Sequence, residues 1–328
     1  MHRPYASVAY IGSYRYLKEV KAKMLRRYPD TSHVRLRTIK STFQAEDALC
    51  AATLYVPQDA DPDQELPAIL MLGGWGSIQR AMTSSYTHSF VEAGFAVMEF
   101  DYPGWGDSGG FPRQDINPWR RTRVADTALA HLKAHPMVAA NRITLWGTSF
   151  GGGHVVDLAS QHPELKGAII QVPMLDGLAA TLATPPLRMM KMSTPGMIDL
   201  LKPGTPIYVP TLSRKGQFGT MDRDGAWEAM ELALAALKGY GYDNRVTARS
   251  LYTMPLYRPW RRLKDIKIPM LMIGATGDTV APFVSDKVHQ VGNPNIEVIE
   301  IDANHFDPYF DPLFPKMLAL QMKFLLRS

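Results

Sequence analysis

The chain has 328 residues, of which 46% are hydrophobic and 20% charged, with a formal net charge of +5; one large α/β domain carrying an insertion accounts for that length as well as two domains would. Its Lys and Arg residues are dispersed rather than gathered into an aromatic-interleaved tract, which argues against a nucleic-acid partner, and no run approaches the ~20 apolar residues a membrane helix needs. The single cysteine, Cys50, cannot form an internal disulfide and points to a reducing compartment.

Residues 1–30 carry basic and aromatic side chains but no signal-peptide pattern, so the expected location is cytoplasmic. Within them, residues 14–27 read as a basic amphipathic helix, suited to docking on the protein's own surface or to a homodimer contact rather than to a membrane. Residues 34–40 and 48–56 read as two antiparallel strands joined through 44–47. Apolar runs of buried-strand type then follow at 67–72, 95–100, 143–146, 168–172, 269–273 and 296–301. Helical patterns at 79–93, 119–134, 152–161 and 314–326 lie between or after them. This alternation predicts an α/β fold, a mainly parallel sheet with antiparallel N-terminal strands and helices on both faces. Residues 174–264 are too long for a single crossover and are read as an inserted, mostly helical lid containing a helix over 225–237. The expected organisation is therefore an N-terminal helical extension (1–30), a core (31–173 and 265–328) and a lid (174–264).

The chemistry centres on Gly147-Thr148-Ser149-Phe150-Gly151, set between a strand-like run (142–146) and a helical one (152–161). A sharp strand-to-helix turn presents the serine as a nucleophile, and the small residues on either side let strand and helix pack closely. Serine is a weak nucleophile at neutral pH, so it needs an imidazole base and an acid to orient it. In chain order after the serine, His305 follows the last strand, whereas His289 falls within a helical pattern. Asp278 follows the strand at 269–273 and is the preferred acid; Asp176 competes, and Asp278 could equally be a turn aspartate capping the next helix. Donors for an oxyanion are expected from the backbone amides of Phe150, at a helix start, and Trp75, in the loop Gly73-Gly74-Trp75-Gly76.

Two other patterns point elsewhere. Gly104, Gly106 and Gly109 match a dinucleotide fingerprint formally, but Phe111-Pro112 and Asn117-Pro118 delay the helix that should open inside it. His131 and His135 share a helical face without the usual glutamate or a third ligand. No cofactor and no metal are implied.

Taken with Asp101-Tyr102-Pro103-Gly104-Trp105-Gly106-Asp107-Ser108-Gly109, Gly277-Asp278 and Asn304-His305, these motifs resemble the α/β-hydrolase superfamily, from residue 34 to the carboxyl terminus outside the lid. They are similar to a group that includes dienelactone-hydrolase-like, Xaa-Pro-dipeptidyl-peptidase-like and polyketide-acyltransferase-like proteins. Dienelactone hydrolases use a cysteine nucleophile, so their reaction does not transfer to Ser149. The resemblance implies a serine hydrolase working through an acyl-enzyme, and the Met-containing lid suggests small-molecule esters of small or medium hydrophobic acyl or aromatic groups. Two rivals stand beside this expectation. One is an acyltransferase or thioesterase on a CoA- or carrier-linked acyl group, for which Arg188, Lys191 and Lys202 would suit an anionic carrier. The other is a non-catalytic binding protein on a hydrolase scaffold.

Overall fold

A computed structural model describes residues 26–79, 81, 83–202, 204–236 and 241–327. The amphipathic stretch read at 14–27 lies almost wholly outside these residues, as do Leu237 and three residues that follow it.

The chain opens with a hairpin of β1 (Leu36–Ala45) and β2 (Ala48–Pro57), in antiparallel register from Leu36 opposite Pro57 to Ala45 opposite Ala48. Glu46 adopts a positive φ of 50°, so only two residues make the turn and β1 runs five residues further than the pattern at 34–40 suggested. Next come β3 (Leu66–Leu72), α1 (Ser84–Glu92), β4 (Ala96–Phe100), α2 (Pro118–Lys133), β5 (Val138–Thr148), α3 (Phe150–Ala159) and β6 (Gly167–Gln171). The helix expected from residue 79 begins only at Ser84, because Gln79 is held out of helical geometry by its amide bonding the Asp101 carboxylate at 2.8 Å. Asn117 caps α2 by accepting the Arg120 amide at 3.0 Å, and Pro118 fits the first helical position, where no N–H is needed.

Eight strands form one sheet in the order β1-β2-β4-β3-β5-β6-β9-β10, where β9 is Met270–Ala275 and β10 is Ile296–Ile301. From β4 to β10 all neighbours are parallel, and β2 runs against β4. Successive strand side chains point to opposite faces, so Ala68, Leu70 and Leu72 enter one core while Ile69 and Met71 enter the other. Helices α2 and α3 cover the first face, and α1 with the C-terminal α8 (Phe314–Arg327) covers the second. Each fully buried Leu or Ile contributes roughly 1.5–3 kcal/mol to this packing. Cys50 is fully buried in β2, and burial pushes its thiol up to about 11, which leaves it a protonated core side chain.

Between β6 and its sheet neighbour β9 runs the segment 174–264. It contains α4 (Gly177–Leu182), α5 (Pro186–Leu201), β7 (Tyr208–Pro210), α6 (Ala226–Ala236) and β8 (Arg245–Thr247), followed by 3-10 turns. β7 and β8 form a two-stranded antiparallel ladder absent from the sequence reading, since three residues per strand are too few to show a period. Asp199, fully buried, ties this segment together by accepting the amides of Ile207 and Arg249 at 2.9 Å each and the Arg249 Nε at 3.1 Å. The last helix before β10 is α7 (Ser285–Val291). Among the described residues no helix is long and apolar enough to cross a membrane.

Candidate active site

Four loops at the carboxyl ends of β3, β5, β9 and β10 converge on Ser149. Ser149 itself sits between β5 and α3 with φ 54° and ψ −125°, a strained conformation costing roughly 1–3 kcal/mol that surrounding structure must hold. It is held from both sides. Its amide donates to the Gln171 carbonyl at 3.1 Å, and its carbonyl accepts the amides of Gly152 at 3.0 Å and Met174 at 2.8 Å. The flanking glycines are required sterically, since a Cβ on Gly151 would lie 2.0 Å from the Leu72 carbonyl oxygen and one on Gly147 would lie 2.5 Å from Val155.

The Ser149 Oγ lies 2.9 Å from His305 Nε2, and His305 Nδ1 lies 2.5 Å from Asp278 Oδ2. All three are buried. With a proton on Nδ1 shared with the carboxylate, Nε2 is left as the acceptor facing the hydroxyl. The other oxygen of Asp278, Oδ1, accepts the amides of Val280 and Ala281 at 2.8 Å each and closes its own turn. The competing acid Asp176 is turned away; it caps α4 and pairs with Arg258 and Lys287. His289 likewise pairs with Glu300, at 3.0 Å.

The loop after β3 passes against the serine, since a Cβ on Gly74 would stand 3.1 Å from the Ser149 Cβ. Among the described residues the backbone amides of Trp75 and Phe150 donate to no protein acceptor, and the Phe150 amide opens α3 where the helix dipole favours negative charge. The Trp75 ring packs edge-to-face on Phe150 at 5.2 Å, and its indole N–H donates to Thr220 Oγ1 at 3.1 Å. Beneath this loop, Arg121 is buried and its Nη1 donates to the Gly74 carbonyl at 3.2 Å. In a trans peptide the N–H points opposite to the C=O, so this bond leaves the Trp75 amide pointing away from Arg121. Arg121 forms no ion pair among the described residues; its guanidinium lies over the rings of Tyr102 and Trp105, 4.4 and 5.2 Å from their centroids, and burial lowers its pKa to about 10. The sequence reading passed over Arg121, although it falls on the same α2 stripe as the buried Val124, Ala125, Ala128 and Leu132; a charge on an apolar stripe is the signal that could have found it.

The glycine-rich loop after β4 binds its own carboxylate rather than a phosphate. Asp101 accepts from Gln79 and from the Asp107 amide at 2.9 Å, and a Cβ on Gly106 would fall 2.2 Å from Asp101 Oδ2. His131 bonds Ser41 at 3.0 Å and stacks on Phe43, while His135 accepts the Met137 amide at 3.2 Å. Arg188, one of the basic residues suited to an anionic carrier, is mostly buried against Asp222 and donates to the Gly219 carbonyl.

Two apolar cavities adjoin Ser149. One, of about 80 Å³, is lined by His305, Thr148, Tyr309, Met230 and Ala233 among others; the second, of about 270 Å³, is lined by Phe150, Met174, Ala180, Thr184, Met189 and Met192 among others. None of the described lining residues is Asp, Glu, Lys or Arg.

The sheet order, the crossovers and the strand-end site are those of an α/β-hydrolase fold. The crystal structure of the α/β hydrolase GrgF from Penicillium superposes with a TM-score of 0.69 over 89% of this chain and 99% of that one, at 23% identity. Residues 47–306 match the X-Pro dipeptidyl-peptidase (S15) family, and the chain belongs to that family. Similar proteins include the quorum-quenching protein AidA of Acinetobacter baumannii, 31% identical over 87% of this chain and 93% of that one. They also include a thiohydrolase of Eupenicillium brefeldianum, 26% identical over 72% and 77%. Family and relatives together mark the chain as a hydrolase.

Proposed function

We propose that this hydrolase cleaves carboxylic esters of apolar acyl groups through an acyl-enzyme on Ser149. The observation that carries the reading is the buried hydrogen-bonded series from Ser149 Oγ through His305 to Asp278. Ser149 attacks the carbonyl carbon as its proton passes to His305 Nε2, and Asp278 orients the imidazole and stabilises it once charged. The amides of Trp75 and Phe150 receive the developing oxyanion, and segment 174–264 acts as a lid that excludes water. An ester fits better than an amine-terminal dipeptide. A free α-ammonium buried in these cavities needs a carboxylate partner, and the described lining offers none.

A fluorophosphonate probe tests the reading directly. Intact mass should show one adduct, mapping to Ser149 and absent in Ser149→Ala, whose turnover of an activated ester should fall about a million-fold. No labelling, or activity retained within about tenfold, would leave a non-catalytic scaffold as the better account.

Thioester hydrolysis or acyl transfer is the second reading, favoured respectively by the names of two relatives, the thiohydrolase and the Penicillium polyketide transferase grgF, and the transfer arm is the one an acceptor alcohol tests. Raising the concentration of an acceptor alcohol should then increase turnover and divert product from acid to ester. The mostly buried position of Arg188 weighs against a phosphate-bearing carrier held by that residue.

A further inference from the structure

Two chambers meet at one serine, but only the smaller one reaches the imidazole. His305, Phe306 and Tyr309 line the cavity of about 80 Å³, whereas the cavity of about 270 Å³ lies beyond Phe150 and contacts none of the three. Trp75, Ser149 and Met221 line both, so the Trp75 ring, fixed by Thr220 and Phe150, stands between them.

Resting on the ester reading above, we propose that the two chambers divide the substrate at its scissile bond: the larger, methionine-lined chamber takes the acyl chain, and the smaller, beside His305, takes the leaving alcohol. Proton transfer imposes this assignment. On attack, the new bond joins Ser149 Oγ to the carbonyl carbon, the carbonyl electron pair moves onto oxygen, and the hydroxyl proton moves to Nε2. Collapse re-forms the carbonyl and breaks the carbon–alkoxy bond, and Nε2 returns that proton to the departing oxygen, which leaves as the alcohol. The departing oxygen must therefore lie within hydrogen-bond reach of His305, and the group it carries extends into the chamber His305 lines. Water then enters from the same side, gives its proton to Nε2 and releases the carboxylic acid, the proton returning to Ser149. The acyl group stays throughout in the other chamber. Met174, Met189 and Met192 there are unbranched and adaptable, which suits chains of varied length. The substrate class is thus an ester with a medium or long aliphatic acyl chain and a compact apolar alcohol.

One alanine on a helix faces each chamber, Ala180 on α4 and Ala233 on α6, and these provide the test. Two ester series are used: p-nitrophenyl esters from acetyl to decanoyl, and octanoyl esters of alcohols of increasing bulk. The deacylation rate constant, read after the burst, reports on the acyl group alone because the alcohol has already left. Ala180→Phe should lower deacylation and kcat/KM for the octanoyl ester roughly tenfold or more, with the acetyl ester changed less than about threefold. Ala233→Phe should cut acylation roughly tenfold for the bulkier alcohols while leaving the dependence of deacylation on acyl length unchanged. Met192→Ala and Met230→Ala, which enlarge rather than fill, should widen tolerance for acyl length and alcohol bulk respectively and cover the case in which a phenylalanine variant does not fold. The crossed pattern, in which Ala233→Phe sets acyl length and Ala180→Phe sets alcohol bulk, overturns the assignment while leaving the ester reading intact. Absence of any burst together with failure of fluorophosphonate labelling at Ser149 overturns both.

Discussion

Arg121 lies away from Ser149 and touches the loop beside it through a single peptide plane. Its bond to the Gly74 carbonyl sets the direction of the Trp75 amide, and the charge polarises that amide as a donor. Arg121→Met should therefore lower kcat by about tenfold to a hundredfold with KM little changed. It should also narrow the preference for an ester over its thionoester, in which sulfur replaces the carbonyl oxygen. A purely structural loss would depress both substrates alike, so an unchanged ratio would remove the positioning role. His154, buried beside Phe150 with its Nδ1 3.0 Å from the Tyr257 hydroxyl, gives a second expectation at this scale. Burial, with the Arg121 charge adding to it, holds its pKa well below the ordinary 6.5. The unfolded chain then binds a proton that the folded chain refuses. Stability contributed by this site is intact above the unfolded value and falls as pH drops below it. Urea unfolding of the parent and of His154→Gln should diverge in slope against pH only on that acid side.

At the scale of elements, the site depends on turns that place one residue each, and these were the most legible parts of the sequence. Gly147 and Gly151 announced the strand-to-helix turn, and the steric limits on both explain why glycine stands there. Asp278 and His305 were readable because each follows an apolar run of strand length. Segment 174–264 resisted reading for a physical reason: its ladder is three residues per strand, its 3-10 turns have no apolar period, and its packing depends on long-range pairs such as Asp199 with Arg249. That pair carries a prediction of its own. Asp199→Ala leaves two amides and a guanidinium without their acceptor and should destabilise the protein by about 3 kcal/mol. Hydrogen exchange should quicken in residues 186–210 before it does in β3 or β5, and uniform acceleration across the chain would contradict this.

Across the whole molecule, both cavities beside Ser149 take residues from segment 174–264 and from the rest of the chain. A ligand long enough to touch both should couple them. An octyl phosphonate on Ser149 is expected to raise the melting temperature by about 2–4 °C over a methyl phosphonate and to slow exchange in α4 and α5 as well as in the loop after β3. Equal effects of the two adducts would show that the insertion folds without reference to what the site holds.

The insertion leaves the sheet at β6 and returns at β9, and these strands are adjacent, with Ala168 beside Met270 and Gln171 beside Ile273. Because the two strands are parallel, its first end leaves at the carboxyl edge of the sheet and its last end returns at the amino edge, a strand length away. Once a connection is long enough to make that crossing, each further doubling of its length costs only about 0.6 kcal/mol. The length and content of segment 174–264 can therefore change at little cost to the sheet, so long as the segment still spans it from one edge to the other.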